Sequence, residues 1–223
     1  MAVYAQDVAV HKKPDQSPLT EADLRADRVI AEGLQAHFAQ WPVVSEESGL
    51  CLGSDVAVDT FFLVDPLDGT KEFIKKNGEF AICIALIHQN RPVLGFIVSP
   101  VLEEIIFGGK EIPAHLLSFD AIGQTQNWKP LTARATVNQP LKIAGSRSHH
   151  SGSDLKFNQS MRELFGAVEF IKKGSALKFF DLALGKADVY PRFAPTMEWD
   201  IAAGQAIMEA LGGTVVHAET NLP

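Results

Sequence analysis

The sequence predicts an α+β fold whose second half is organised as α/β, arranged in two lobes. One helical segment and several strand patterns fill the first half, and strand and helix patterns alternate in the second half. A polar, proline-containing stretch, residues 111–138, separates them. Alternating strands and helices indicate helices layered on a sheet. We therefore expect an N-terminal α+β lobe at residues 1–138 and a C-terminal α/β lobe at residues 139–223, joined by this irregular connection.

A capping pattern predicts the first helix. Thr20 is the expected N-cap and Asp23 its acidic partner three residues later, and apolar residues then recur at helical spacing as far as Phe38. The strand patterns that follow are "WPVVSEESG", "TFFLVDPLDGT" ending at Pro66, the pair in "FAICIALIHQNRPVLGFIVSP" with a turn at Gln89–Asn90, and "EEIIFGG".

Strands and helices alternate beyond the polar stretch. We expect strands in "LKIAGSRSHH", "AVEFIKKG", "DVYPRF" and "TVVHA". The helices between them are "SDLKFNQSMRELFG", "SALKFFDLALGKA" and "EWDIAAGQAIMEALGG", the last closed by two glycines.

Composition excludes several classes of protein. The 223-residue chain carries a formal net charge of −7 and no run of lysine and arginine, so nucleic acid and anionic membranes are poor partners. No apolar run approaches the ~18 residues of a membrane span, and the N-terminus lacks a signal-peptide pattern. Its two cysteines cannot form a disulfide framework. We expect a globular cytoplasmic protein, and the sequence leaves its oligomeric state open.

Two aspartates beside a buried strand point to a bound cation. In "LVDPLDGTKEF", Asp65 follows the apolar residues 61–64, and Asp68 comes three residues later. Aspartate is depleted in strands, and a buried carboxylate without a partner is costly. The other acidic positions also allow structural roles. Asp23 completes the capping box and Asp200 could cap a helix, while Glu46 and Glu47 could lie in a solvated loop.

The donor atoms around Asp65 favour magnesium and a phosphate. Hard divalent ions take carboxylate and carbonyl oxygens, and no cysteine or histidine is among these positions, so Mg²⁺ is favoured over Zn²⁺. The backbone carbonyl of Leu67 is a further candidate ligand. Gly69 would let backbone N–H groups approach a phosphate oxygen, and Thr70 adds a hydroxyl.

These motifs resemble a known family. "DPLDGT" together with "EWDIAAG" resembles the paired signature of the inositol monophosphatase-like, lithium-sensitive, Mg²⁺-dependent phosphatases. "KPDQSPLTEAD", "SEES", "DGTKEFIKKNGEF", "SRSH", "GSALKF" and "YPRF" resemble its branch of bacterial 3′(2′),5′-bisphosphate nucleotidases, in the same order along the whole chain. The resemblance implies the layered αβαβα sandwich of that family, with two lobes, and hydrolysis of adenosine 3′,5′-bisphosphate to AMP.

The resemblance also implies roles for individual residues. Glu46, Thr70 and Asp23 would orient and deprotonate the attacking water. The first lobe would hold most of the ligands of two or three Mg²⁺ ions, and the full implied ligand set is Glu46, Asp65, the Leu67 carbonyl, Asp68 and Asp200.

The substrate would need further contacts for its second phosphate. Lys178 and Arg192 are the candidate cations, although Lys178 could equally be solvated and Ser175 could serve only as a helix cap. The implied substrate-binding positions are Gly69, Thr70, Ser148, His149, Gly174, Ser175, Lys178, Arg192 and Asp200.

Other functions remain open at this point. One alternative is an inositol monophosphatase or a fructose-1,6-bisphosphatase-like sugar phosphatase, and another is a non-enzymatic sensor that binds metal or nucleotide. The segment from Glu111 to Trp128 fits the family pattern poorly, and we expect the chain to be incomplete at both ends. Peripheral association with the inner membrane is an alternative to a freely cytoplasmic location.

Overall fold

A seven-stranded mixed sheet forms the centre of the protein. The computed structural model describes residues 1–6, 9–48, 58–145, 152–218, 220 and 222. The strands of the large sheet follow chain order, and only the first pair is parallel. They are β3 (Val43–Ser45), β4 (Thr60–Asp68), β5 (Ala81–His88), β6 (Arg91–Ser99), β7 (Glu104–Gly109), β8 (Ile112–Ser118) and β9 (Lys129–Pro130).

Two small sheets, five α-helices and two short 3₁₀ helices accompany the large sheet in the described part of the chain. Strands β1 (Val10–Lys12) and β2 (Pro18–Thr20) pair antiparallel, and β10 (Leu141–Gly145) and β11 (Val168–Lys172) pair parallel. The helices are α1 (Glu21–His37), α2 (Thr70–Ile74), α3 (Gly152–Phe165), α4 (Leu177–Ala183) and α5 (Glu198–Ala210). Within the described residues, no helix is both long enough and apolar enough to cross a membrane.

Several predicted elements are confirmed by the structure. Helix α1 begins after Thr20, whose side chain and that of Asp23 form the predicted capping box. The turn between β5 and β6 lies at Gln89–Asn90, where both residues have positive φ, as this hairpin turn requires. Strands β3, β7, β10 and β11 and helices α4 and α5 also lie within the segments predicted for them, and α3 begins one residue before its predicted segment.

The prediction that strand β4 ends at Pro66 is wrong, because the strand continues to Asp68. Its pairing with β5 shifts register between Asp65 and Asp68. This irregularity accommodates a proline that cannot donate a ladder hydrogen bond. The bulge therefore turns the end of the strand and keeps both aspartates on it.

The stretch from residue 111 to 138 is not wholly irregular, because β8 and β9 extend the large sheet. The prolines in this stretch concealed the strands, but Pro130 lies in the last strand, where a missing donor is tolerated. Conversely, "DVYPRF" contributes only an isolated bridge between Val189 and Ile143. Pro191 lacks an N–H and limits further pairing. Residues 214–218 form no strand with any described part of the chain.

Helix α5 packs directly on the large sheet. A Cβ at Gly95, in β6, would lie 2.2 Å from the carbonyl oxygen of Ala203 in α5, so the two backbones meet without an intervening side chain. Ile97, Ile106 and Ile207 are fully buried in this layer. Helix α5, from the predicted C-terminal lobe, thus shares its core with strands of the predicted N-terminal lobe, and the boundary at residue 138 stays a prediction.

Candidate metal and phosphate site

Three aspartates converge where β4 ends and α5 begins. One carboxylate oxygen from each of Asp65, Asp68 and Asp200 lies within 4.8 Å of the other two, and they are the one such group of three or more potential ligand residues among the described residues. The first two come from the bulged end of β4, and Asp200 lies in the first turn of α5. Packing of α5 against β4 brings together residues more than a hundred positions apart.

Local hydrogen bonds orient the aspartates. Asp65 Oδ1 accepts a hydrogen bond from the backbone N–H of Leu67 at 2.9 Å. Asp200 Oδ2 accepts from Thr196 Oγ1 at 2.7 Å and from the backbone N–H of Met197 at 3.1 Å. Asp200 is the third residue of α5, and its side chain reaches back to the N–H of the N-cap residue, Met197. Both bonds use Oδ2, so Oδ1 can bind another partner.

Burial and mutual repulsion make this cluster a candidate cation site. Burial, followed by the charges of Asp68, Glu46 and Asp200, raises the pKa of Asp65 well above its ordinary value. Burial and then Asp200 raise the pKa of Asp68 to about 7, although Lys178 opposes the shift. Three carboxylates that repel one another in a desolvated site are stabilised by a positive ion, and their all-oxygen donor set suits a hard divalent cation.

Glu46 and Glu47 share a lysine. Lys13 Nζ lies 2.7 Å from Glu46 Oε1 and 2.6 Å from Glu47 Oε1. Burial, partly opposed by Lys13, raises the pKa of Glu47. Glu46 lies outside the group of three aspartates, but its charge contributes to the raised pKa of Asp65. The structure thus places the predicted ligand beside the cluster and pairs it with a cation that the sequence did not suggest.

Asp23 and Thr70 form the predicted pair. The Thr70 hydroxyl donates to Asp23 Oδ1 at 3.0 Å, and its oxygen lies 3.4 Å from the carbonyl oxygen of Leu67. Asp23 is almost fully buried, and its other oxygen accepts from the backbone and hydroxyl of Thr20. With its proton committed to Asp23, the Thr70 oxygen presents lone pairs that can accept a hydrogen bond from a water.

The turn at residues 173–176, in the second half of the chain, packs against Asp68 and Gly69. The backbone N–H of Ala176 donates to Asp68 Oδ2. Gly69, with φ of +96°, follows Asp68, and a Cβ there would lie 3.1 Å from the Ser175 Cβ. The backbone N–H of Gly174 donates to Glu79 Oε2 at 2.8 Å. The predicted positions Gly69, Gly174 and Ser175 are therefore neighbours, and Ala176 and Glu79 are contacts that the sequence did not reveal.

The two predicted cations lie beside this turn. Lys178 is almost fully buried, and its Nζ donates to the carbonyl of Ser175 at 2.5 Å and lies 5.0 Å from the centre of the Tyr190 ring. Burial lowers the pKa of Lys178, and the charge of Arg192 adds to this decrease. Arg192 Nη2 donates to Pro195, whereas its buried Nε has no hydrogen-bond partner in the described part of the chain.

Ser148 and His149, in "SRSH", lie outside the described residues. The other predicted positions are the aspartate group with Glu46 beside it, the Thr70–Asp23 pair, and the turn at residues 173–176 with Gly69, Lys178 and Arg192 near it.

Comparison with known proteins gives this geometry a context. The model of the inositol monophosphatase family matches residues 2–222. A curated protein from Salmonella typhimurium (strain LT2), named 3′(2′),5′-bisphosphate nucleotidase CysQ, is 41% identical over 222 residues, covering 96% of this chain and 83% of that protein. The Escherichia coli (strain K12) protein of the same name is 38% identical over 217 residues, with coverages of 96% and 83%.

A solved structure supports the same relationship. The crystal structure of CysQ from Bacteroides thetaiotaomicron, described as a bacterial member of the inositol monophosphatase family, matches with a TM-score of 0.83 and 37% identity. The match covers 100% of this chain and 84% of that one. This similarity confirms the predicted layered fold, in which a mixed sheet is packed between helices.

Proposed function

The chain belongs to the inositol monophosphatase family, and from that premise we propose that it is a phosphatase that converts adenosine 3′,5′-bisphosphate to AMP and phosphate. The observation that carries the proposal is the aspartate cluster next to the Thr70–Asp23 pair. A cation site beside a hydroxyl with free lone pairs is the arrangement that metal-assisted hydrolysis needs. The curated relatives supply the substrate class, since both are named as 3′(2′),5′-bisphosphate nucleotidases.

The proposed cofactor is Mg²⁺, two or three ions per site. Asp65, Asp68 and Asp200 would hold them, together with Glu46 and the carbonyl of Leu67. When bound, Mg²⁺ supplies positive charge for the phosphate and the leaving oxygen and lowers the pKa of a coordinated water. For Glu46 to serve as a ligand, its contact with Lys13 must weaken, and Glu47 remains available to hold the lysine.

Thr70 is proposed to orient the attacking water. Because Thr70 Oγ1 donates to Asp23, it can only accept from the water, which turns a water lone pair toward phosphorus. Asp23 is fixed by its two bonds from Thr20, so it holds the direction of the threonine hydroxyl. Glu46 is proposed as the second group that accepts a proton from this water. The backbone N–H groups at Gly69 and Thr70 are proposed to bind the reacting phosphate.

The second phosphate of the substrate is proposed to bind at the edge formed by Lys178 and Arg192. The charge of Arg192 adds to the burial that lowers the pKa of Lys178, and the buried Arg192 Nε offers an N–H without a partner among the described residues. A guanidinium is well suited to a bidentate phosphate contact. Gly174, Ser175, Ser148 and His149 remain proposed substrate contacts, and a cytoplasmic location, with or without peripheral attachment to the inner membrane, remains a proposal.

Phosphate release from three substrates tests this function. Adenosine 3′,5′-bisphosphate, inositol 1-phosphate and fructose 1,6-bisphosphate are each incubated with the protein in Mg²⁺, in chelator, and with Asp65→Asn. We expect the nucleotide to be cleaved best, only with Mg²⁺ and only with Asp65 intact. Preference for another substrate would refute the assignment of Lys178 and Arg192 but not the metal site. Nucleotide binding without turnover would instead indicate a sensor.

A further inference from the structure

We propose that Glu79 is a positioning residue that docks the turn Lys173–Ala176 onto the metal site. Its carboxylate Oε2 accepts the backbone N–H of Gly174 at 2.8 Å, across 95 residues of sequence. Two residues further along the same turn, the N–H of Ala176 donates to Asp68. The turn is thus fixed at both ends, at Ala176 by Asp68 at the end of β4 and at Gly174 by Glu79 in the connection between α2 and β5.

The packing around Gly174 shows how close this docking is. A Cβ on Gly174 would lie 2.7 Å from the Glu72 Cγ and 2.8 Å from the carbonyl oxygen of Glu79, both too short for real contacts. The carbonyl oxygen of Glu79 also lies 3.1 Å from the Cβ position of Gly69. The backbone of Glu79 therefore lies close to both Gly69 and Gly174. Its side chain also binds the N–H of Gly174.

The conformation of the turn needs such support. Ser175 has φ of +52°, a left-handed conformation that a non-glycine residue adopts only when its surroundings impose it. On one side Lys178 donates to the Ser175 carbonyl, and on the other the Ala176 N–H of the same peptide group donates to Asp68. The Glu79–Gly174 hydrogen bond fixes the peptide group between Lys173 and Gly174, two positions earlier.

Glu79 is itself held in place for this role. The carboxamide oxygen of Asn77 accepts the backbone N–H of Glu79 at 2.9 Å, and the following residue, Phe80, is buried against Phe73 of α2. The Glu79 carboxylate also contributes a favourable charge to Lys178. Loss of the hydrogen bond and loss of the charge must therefore be separated experimentally.

Two substitutions separate these effects. Glu79→Gln keeps an oxygen that can accept the Gly174 N–H but removes the charge, whereas Glu79→Leu removes both. Glu111→Leu is a matched control, because Glu111 is exposed and lies in the turn before β8. Should Glu79→Leu fail to fold, Glu79→Asp withdraws the carboxylate by one methylene and serves in its place.

The first measurement is amide hydrogen exchange. NMR monitors it residue by residue, both in the metal-free protein and in the presence of Mg²⁺. Losing a hydrogen bond to a charged group should speed exchange of the Gly174 amide by about tenfold or more in Glu79→Leu. The decisive amide is Ala176, which bonds to Asp68 and not to Glu79. If Glu79 positions the turn, the Ala176 amide also exchanges faster in Glu79→Leu, and stays protected in Glu79→Gln and in Glu111→Leu.

The second measurement is phosphate release from adenosine 3′,5′-bisphosphate, which rests on the proposed function. We expect kcat/KM to fall about tenfold in Glu79→Leu and to be restored in Glu79→Gln. Unchanged exchange at Ala176 in Glu79→Leu would overturn the proposal, as would equal impairment of the glutamine variant. If the wild-type protein cleaves no nucleotide, the proposed function fails, while the exchange data still decide the role of Glu79.

Discussion

Raising the pH should destabilise the metal-free protein, because the aspartate cluster resists ionisation in the folded state. Burial and Asp200 raise the pKa of Asp68 to about 7, whereas an unfolded chain has an aspartate pKa of about 3.9. The resulting stabilisation is fully present below the unfolded pKa. Above it, the unfolded chain releases its proton while the folded protein retains it, so the stabilisation declines with rising pH and is lost as the pH passes the folded pKa.

The size of this effect follows from proton linkage. Between about pH 6 and about pH 8, a group with a folded pKa near 7 carries on average about half a proton more in the folded than in the unfolded protein. Over these roughly two pH units the free energy of unfolding therefore falls by about 1.4 kcal/mol. For a chain of this length, that corresponds to a fall in Tm of about 4 °C. Asp65 should shift stability in the same direction, because burial also raises its pKa.

Thermal unfolding with chelator at both pH values measures the effect, and Asp68→Asn is the control, since its amide cannot titrate but can still accept the Ala176 N–H. We expect the wild-type Tm to fall more than the variant Tm as the pH rises. With saturating Mg²⁺ the wild-type loss should disappear, because the ion stabilises the ionised carboxylates. Equal pH dependence of wild type and variant would refute the reasoning.

Substitutions at Thr70, Gly95 and Arg192, with a control at Gly33, test other parts of the structure. Thr70→Ala should lower kcat about a hundredfold, and Thr70→Ser should retain most activity, which steady-state assays would show; equal losses would argue against a role for the hydroxyl. Gly95→Ala should cost about 3 kcal/mol or more in chemical denaturation, because its Cβ would meet the carbonyl oxygen of Ala203. Gly33→Ala, in an open helical position, should instead stabilise by about 0.5–1 kcal/mol. Arg192→Leu should raise KM about tenfold for adenosine 3′,5′-bisphosphate but little for adenosine 3′-monophosphate, and equal effects would contradict a contact with the second phosphate.

Local sequence signals predicted those parts of the fold in which local chemistry decides the structure. The capping box at Thr20 and the turn at Gln89–Asn90 depend on neighbouring residues, and both are present. Predictions were wrong where pairing with a distant strand decides the outcome. Pro66 reads as a strand terminator, but the bulge against β5 carries the strand past it, and β9 exists because β8 offers it an edge.

The acidic part of the site was predictable because its residues are chemically conspicuous. A carboxylate directly after a buried strand, as at Asp65, requires an explanation in any sequence. The backbone N–H groups of Gly174 and Ala176 give no such signal, since every residue except proline has one and only the fold aims it. Lys13 was missed for a related reason, because a lysine usually lies in solvent, and only the fold places its Nζ beside both Glu46 and Glu47.

The contacts made by the turn explain why the metal site depends on both halves of the chain. Asp65 and Asp68 lie on β4. The Asp68 carboxylate, however, accepts a hydrogen bond from the N–H of Ala176, and the third aspartate of the cluster, Asp200, lies on α5. A displacement of the turn would therefore change the metal site as well as the substrate side. Binding of Mg²⁺ and docking of the turn should consequently stabilise one another, since each favours the same position of Asp68. Measuring protection of the Ala176 amide with and without Mg²⁺ tests this coupling directly: greater protection with the ion is expected, and equal protection would show that the two are independent.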